Sequence, residues 1–310
     1  MFQRQITYLG KENQSRIEKE KICIVGLGSL GSTIVELLVR SGVRNFTLID
    51  RDIVEETNLQ SQHLYAQEDI GKPKVQAIKQ HLLSIHPKLN LTLLFDHLNY
   101  ENIKIKERII IDCTDNLETR LLLNEYALKN NKILVHTSCI QNKGYVYIIT
   151  KNKACLQCFL KENVNLETCQ TIGVLNTIPT VIAAIAVSEV IKIITSKLIE
   201  SNMINLNLET NELTKIRINK NKDCKPHNNR FDYLTGKKEK SIIKFCSSST
   251  YLIPHKKNIK KLKVKLKKEI TQEVGNAFII KNITIFPNKV LIKAKDKKAA
   301  ETIFSKYIGN

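Results

Sequence analysis

The chain has 310 residues, 42% of them apolar and 25% charged, a balance that excludes wholesale disorder and leaves length for one large domain or two smaller ones. The formal charge of +19 is lopsided: residues 211–310 carry 25 Lys/Arg against 8 Asp/Glu, leaving 24 against 22 for the first 210. The greasiest stretch, Ile178 to Ile194, is interrupted by Pro179, Ser188, Glu189 and Lys192 and falls short of the roughly 20 apolar residues of a bilayer span. The opening MFQRQITYLGKENQSR has no signal-type apolar core, so a cytosolic home without a membrane partner is expected, and the eight cysteines read as thiols or metal ligands.

Along the chain, Lys21–Val25 reads as a strand ending at a glycine, followed by a helical pattern to Gly42 and a second strand at Asn45–Ile49. Lys74–Ile85 carries apolar residues at 75, 78, 82 and 85, the stripe of a helix. Leu91–Phe95 and Arg108–Ile111 read as strands, Leu117–Lys129 as a helix and Ile133–Val135 as a strand. Thr177 and Pro179 open a helix running to about Thr195, and strands follow at Met203–Leu208 and Leu213–Ile218. Strands alternating with helices predict an α/β fold, a Rossmann-like and mainly parallel sheet. The polar stretch Lys220–Lys240 reads as a linker, giving a body over 1–220, a linker over 221–240 and a small basic α+β module over 241–310. In that module Ile242–Phe245, Ala277–Ile280, Ile283–Phe286 and Val290–Lys293 read as strands, with a turn at Pro287-Asn288 and a closing helix at Ala299–Tyr307.

The first strand runs into Gly26-Leu27-Gly28-Ser29-Leu30-Gly31, whose glycines permit a tight turn and let backbone N–H groups approach a phosphate at a helix N-terminus. Asp50 ends the next strand 19 residues beyond Gly31, where an acid can hold a ribose hydroxyl. That much would suit NAD. The residues that follow turn the reading away from it: Asp50-Arg51-Asp52, Asn58-Leu59-Gln60-Ser61-Gln62, Gly71-Lys72-Pro73-Lys74, and Asp112-Cys113-Thr114-Asp115-Asn116 with Thr119-Arg120. Hydride transfer needs no lysine or extra carboxylate beside the phosphates, whereas nucleotidyl transfer needs cations over a triphosphate and a carboxylate for Mg²⁺.

This ordered set resembles the ThiF/MoeB/HesA family, relatives of the ubiquitin-activating enzymes, over roughly residues 2–230. The resemblance implies ATP-dependent adenylation of the C-terminal glycine of a small ubiquitin-like sulfur carrier. It implies that Gly26, Gly28, Ser29 and Gly31 line ATP, Asp50 holds the ribose, Asn58 orients the phosphates, Lys74 contacts them, and Asp115 with Asn116 holds Mg²⁺. Arg4 matches an arginine that reaches into a partner protomer's site, which implies a homodimer. Two departures stand out: serine at 29 where the family usually has glycine, and Ser61 where its N-L-Q-R-Q has arginine, so a phosphate-binding guanidinium is lost unless Arg51 or a partner compensates.

Cys155-Leu156-Gln157-Cys158 alone could be redox-active, but Cys224-Lys225-Pro226-His227 supplies a second pair and completes a Cys₃His set suited to structural Zn²⁺. The family has C-x-x-C at both places, so His227 is a tolerated departure. Cys169 lies where some members use a cysteine for a covalent link to the carrier or a persulfide; it is a candidate nucleophile, or else a small residue before a helix. Cys23 and Cys113 read as inert strand cysteines, and the histidines other than His227 as surface or capping residues.

Lys256–Lys268 holds eight lysines in thirteen positions and fits either a strand or a helix. It reads as a solvated lysine face, as a dock for an acidic carrier, or as a contact to tRNA phosphate. Function therefore divides between an adenylyltransferase, a nucleotide- and carrier-binding scaffold with weakened catalysis, and an NAD-dependent oxidoreductase supported only by the glycine loop and Asp50.

Overall fold

The computed structural model describes residues 1–160, 173–196, 199–238, 243–244 and 249–309, so Cys169 and Cys246 lie outside the described residues. Two compact units divide the chain, Met1–Lys237 and Lys238–Asn310.

The first unit opens with two short helices, α1 (Gln3–Leu9) and α2 (Lys11–Lys19). There follow β1 (Lys21–Val25), α3 (Ser29–Ser41), β2 (Asn45–Asp50), α4 (Lys74–Ile85), β3 (Asn90–Phe95), β4 (Ile109–Asp112) and α5 (Leu117–Lys129). A hairpin, β5 (Ile133–Ile140) and β6 (Lys143–Ile149), precedes α6 (Thr177–Thr195) and a final pair, β7 (Asn202–Asn207) and β8 (Glu212–Arg217). The sheet order is β3-β2-β1-β4-β5-β6-β7-β8. Its first five strands are parallel and its last three antiparallel.

β1 and β4 read as unbroken apolar runs because both of their faces are buried. Ile22 and Ile24 of β1, with Ile109 and Ile111 of β4, join Ile34, Leu38, Ile78, Ile182 and Ala186 in the core beneath α3, α4 and α6. Cys23, Val25 and Ile110 point the other way, to Leu121, Leu123 and Leu128 of α5. α6 has the length and apolarity of a membrane span, but here Ile178, Ile182, Ala186, Val190 and Ile193 pack into the protein core. Its N-cap is Asn176, one residue before the expected Thr177.

The expected linker does not hold over residues 221–237. They belong to the first unit, because the buried Glu125 of α5 accepts hydrogen bonds from the backbone N–H groups of Tyr233 and Leu234, each at 2.9 Å.

The second unit is an antiparallel sheet in the order β11-β12-β13-β14-β10-β9. Its strands are β9 (Ile243–Lys244), β10 (Thr250–Pro254), β11 (Gln272–Val274), β12 (Ala277–Ile280), β13 (Ile283–Ile285) and β14 (Lys289–Lys293). Two helices accompany it, α7 (Ile259–Lys265) and α8 (Lys297–Tyr307). The ambiguous lysine run is thus a helix in its middle, capped by Asn258, whose side chain accepts from the N–H groups of Lys260 and Lys261. Leu262 and Leu266 bury against Phe278, Ile280, Ile285 and Ile292.

Candidate functional site

The chain runs from β1 outward to β2 and β3, then returns to place β4 on the other side of β1. The crevice at the carboxyl ends of β1 and β4 is therefore the topological switch point, where open α/β sheets bind ligands. The glycine loop leaves β1 at this crevice. Gly26 has φ +89°, and a Cβ there would lie 2.6 Å from the carbonyl oxygen of Cys113; one on Gly31 would collide with the carbonyl of Gly26. A Cβ on Gly28 would meet no protein atom within 4 Å, so the loop leaves open space at the N-terminus of α3. Gly28 caps that helix without a side-chain hydrogen bond, leaving its first amides for an anion.

Asp50, at the tip of β2, binds back to the loop: Oδ2 accepts from Leu27 N at 2.5 Å and Oδ1 from Asp52 N at 2.7 Å. Burial and the neighbouring Asp52 push its carboxyl above the ordinary range, while Lys74 and those two amides pull it back. The crossover segment after β2 lies over the loop. Tyr65 donates its hydroxyl to Leu27 O at 2.9 Å, and the hydroxyls of Ser29 and the buried Ser61 are 2.7 Å apart. The two departures from the family pattern therefore touch one another and form a neutral pair. Asn58 accepts from Glu55 N at 3.0 Å and shapes this turn.

Charge gathers beside the loop. Buried Lys74 opens α4 and brings Nζ to 3.8 Å from Asp52 Oδ2. Arg51 Nη2 lies 3.3 Å from Asp115 Oδ1, its Nε 3.5 Å from Asp52 Oδ1, and its Nη1 3.1 Å from Nδ1 of the buried His97. Asp115 sits after β4, between Thr114 and Asn116, with 38% of its side chain exposed. Asn116 caps α5 by accepting from Thr119 N at 2.9 Å. Among the described residues its own Nδ2 is buried without a hydrogen-bond partner, as is Gln62 Oε1. Such buried polar atoms beside an open glycine loop fit a polar, phosphate-bearing ligand.

A second cluster packs on α5. The ligand atoms of Cys155, Cys158, Cys224 and His227 lie within 4.8 Å of one another, with Cys155 Sγ at 3.9 Å from Cys158 Sγ and 3.5 Å from Cys224 Sγ. Sulfurs about 2.3 Å from one tetrahedral ion would be separated by about 3.8 Å. Among the described residues His227 Nε2 is buried without a hydrogen-bond partner, which suits a metal ligand. Hydrogen bonding to Cys155 and Cys224 lowers the Cys158 thiol from its ordinary value. Asn124 accepts from Leu156 N at 3.1 Å, and Glu125 from Gln157 Nε2 at 3.3 Å, tying the knuckle to the helix that begins beside Asp115. The donor set, burial and spacing fit a structural metal ion.

With this geometry in hand, residues 2–226 match the ThiF family. The chain belongs to the ThiF family. It is 28% identical over 97% of its length, and 96% of the relative's, to the sulfur carrier protein ThiS adenylyltransferase of Bacillus subtilis. The Escherichia coli enzyme of the same name is 31% identical over 59% of this chain and 75% of its own. In fold, the crystal structure of Escherichia coli MccB with ATP matches with a TM-score of 0.64 at 19% identity, over 73% of this chain and 74% of that one.

Of the residues expected from sequence, Gly26, Gly28, Ser29 and Gly31 form the loop and the start of α3, Asp50 ends β2 against that loop, Ser61 meets Ser29, Lys74 opens α4, Asp115 and Asn116 follow β4, and Asn58 lies in the turn after β2. Arg4 is exposed on α1. Cys23 is fully buried, and burial pushes the thiol of Cys113 up to about 12, so both are unreactive.

The histidine reading needs correction. His97, His136 and His255 are buried rather than superficial, each in a hydrogen-bonded position that an isolated histidine in sequence does not announce. Asp112, the last residue of β4, is also fully buried.

Proposed function

We propose that this chain adenylates the C-terminal glycine carboxylate of a small ubiquitin-like sulfur-carrier protein, using ATP. The observation that carries the reading is the convergence, at one switch-point crevice, of the open glycine cradle with Asp50, Lys74, Arg51 and Asp115. The relatives' names supply the reaction class, and the crevice supplies groups suited to it.

In this reading the triphosphate lies over the N-terminus of α3, with Asp50 on the ribose and Lys74 spreading positive charge over the phosphates. An oxygen of the carrier carboxylate bonds to the α-phosphorus, the bond from that phosphorus to its bridging oxygen breaks, and pyrophosphate leaves. Asp115, with Asn116 beside it, would hold Mg²⁺, which supplies neutralisation of the phosphate charge. Cys155, Cys158, Cys224 and His227 would hold a structural Zn²⁺ that pins residues 221–237 to α5. Arg4 would complete the site of the partner protomer in a homodimer, and the Cys169 thiolate would attack the acyl adenylate, forming a thioester with the carrier and releasing AMP. The free thiols among the described residues fit a reducing, cytosolic compartment. Transfer RNA contact through the lysine-rich second unit belongs to the same proposal.

The Ser29–Ser61 pair favours a second reading, a nucleotide- and carrier-binding scaffold with weakened catalysis, because two hydroxyls supply no charge where the family has a guanidinium. Pyrophosphate exchange into ATP decides between them. Exchange that requires a carrier ending in Gly-Gly supports adenylation; binding of ATP and carrier without exchange supports the scaffold.

A further inference from the structure

The loop that carries Asp115 is fixed from both sides. On its far side Asn116 caps α5. On its near side Thr114 is clamped: its N–H and hydroxyl both donate to Asp112 Oδ1, at 3.0 and 2.7 Å, and its carbonyl accepts from Arg120 Nε and Nη2 at 2.9 and 2.6 Å. Asp112 has no exposed surface, so its second oxygen also needs a donor. That donor comes from the neighbouring strand: Nδ1 of the fully buried His136 on β5 lies 2.7 Å from Asp112 Oδ2. The other ring nitrogen, Nε2, lies 3.1 Å from the hydroxyl of Tyr145 on β6. Both bonds are satisfied together by a neutral ring that donates from Nδ1 and accepts the Tyr145 proton at Nε2. Thr137, next to His136, donates its hydroxyl to the Asp112 carbonyl at 2.9 Å and fixes the backbone of the same residue. Asp115 is left with a rigid backbone and a side chain that faces the crevice.

We infer that His136 is a positioning residue of the nucleotide site. It orients Asp112, Asp112 clamps Thr114, and the clamp presents Asp115. This inference rests on the proposed role of Asp115 toward Mg²⁺ and ATP. His136 touches neither and acts through the loop. Its effect is therefore on nucleotide and metal binding, not on recognition of the carrier.

The test compares His136→Leu, which fills the site without a donor, with His136→Asn, whose Nδ2 can stand where Nδ1 stood. Calorimetric affinity for Mg²⁺-ATP, deuterium exchange at residues 113–116 and thermal melting are measured on the full chain. Partners of this kind around a metal ligand are worth about 10- to 100-fold in affinity. His136→Leu should weaken Mg²⁺-ATP binding by about tenfold and speed exchange at Thr114, and His136→Asn should recover most of both. Where exchange activity is present, the carrier KM should stay unchanged in each variant. If His136→Leu fails to fold, Thr114→Val removes one clamp bond without touching the histidine and should weaken Mg²⁺-ATP binding in the same direction. Folded variants with wild-type Mg²⁺-ATP affinity overturn the inference. If the unmodified chain binds Mg²⁺-ATP but shows no carrier-dependent exchange, adenylation fails while the affinity series still decides the role of His136. If the unmodified chain binds no Mg²⁺-ATP, both readings fall.

Discussion

The two units of this chain bury polarity to different extents. The first, Met1–Lys237, is nearly balanced in charge, with 31 Lys/Arg against 25 Asp/Glu, yet it buries Asp50, Arg51, Asp69, Lys74, Asp112, Glu125 and His136. The second holds 18 lysines, no arginine and five acids, and among its described residues the buried polar side chains are those of His255, Thr284 and Lys289. Buried charge is costly unless paired, so its concentration marks where chemistry repays the cost. Exposed lysine marks no such place. Arginine-free lysine surface also lacks the planar fork that favours bidentate phosphate recognition. Net charge therefore points to the surface of the second unit, and buried charge to the crevice of the first.

The sharpest test of that contrast is Asp115→Ala. The exposed carboxylate contributes little to folding, so melting should be unchanged, while carrier-dependent pyrophosphate exchange falls at least about a hundredfold, or roughly 2.7 kcal/mol of barrier. A wild-type exchange rate in this variant would remove Asp115 from the site.

Next in size is the knuckle on α5. Metal analysis should find one zinc per chain. Cys224→Ser should lose it and lower the melting temperature by roughly 10 °C, since loss of a structural metal ranks among the costliest single changes. Protease cleavage should then appear within residues 221–237. Full zinc content with unchanged melting would overturn the assignment.

The Ser29–Ser61 pair offers a gain rather than a loss. Hydrogen bonds to charged groups contribute about 1.5–3 kcal/mol, so restoring a guanidinium should speed exchange by at least about tenfold. Ser61→Arg alone should gain less than Ser61→Arg with Ser29→Gly, because the Ser29 hydroxyl stands 2.7 Å from the Ser61 hydroxyl. If Arg51 already serves the phosphates, Arg51→Ala should be severe alone and rescued by Ser61→Arg. No gain from the double change, with no effect of Arg51→Ala, would mean that position 61 faces no phosphate.

Acid should act on both units. Burial holds His136 and His255 below their ordinary value of 6.5, so each is neutral in the fold while its unfolded counterpart takes a proton. The unfolded state then binds more protons below about pH 6.5, and stability falls as pH drops through that point. Asp112 adds to the same trend lower down. Burial favours its proton, but the hydrogen bonds from His136 and Thr114 and the charge of Arg120 prevail and lower it. Denaturant melts at neutral and mildly acidic pH should show less of this loss in His136→Asn. Equal losses with and without the histidine would refute its part.

The smallest expected effect lies on α7. Lys260→Gln with Lys261→Gln should change stability by less than about 0.5 kcal/mol and leave exchange untouched, as solvated surface substitutions do. A marked fall in exchange would give the second unit a part in the reaction.

The sequence announced the crevice better than what supports it. Gly26, Gly28 and Gly31 are legible because a tight loop at a helix N-terminus constrains residue type, and the switch point follows from alternating strands and helices. The cluster of Cys155, Cys158, Cys224 and His227 is legible because two local pairs suffice to suggest it. His136 and Tyr145 were not, since their partners are fixed by strand pairing across β4, β5 and β6 and leave no short-range spacing. β6 has no counterpart in the sequence reading; it follows β5 through a hairpin at Gln141, where φ is +51°. Residues 221–237 looked like a linker because the stretch is mostly polar, yet Cys224, Tyr233 and Leu234 pack with the residues of α5.

That last attachment bears on how the protein is made. Glu125 has no exposed surface in the finished fold and receives two of its hydrogen bonds from residues 233 and 234. While the chain is still on the ribosome, α5 exists for more than a hundred residues of synthesis with this carboxylate uncovered, and Cys155 and Cys158 wait for Cys224. At about 5–20 residues per second that interval lasts roughly 5–20 seconds. Completion of the nucleotide-binding unit is therefore timed by the emergence of its own last stretch.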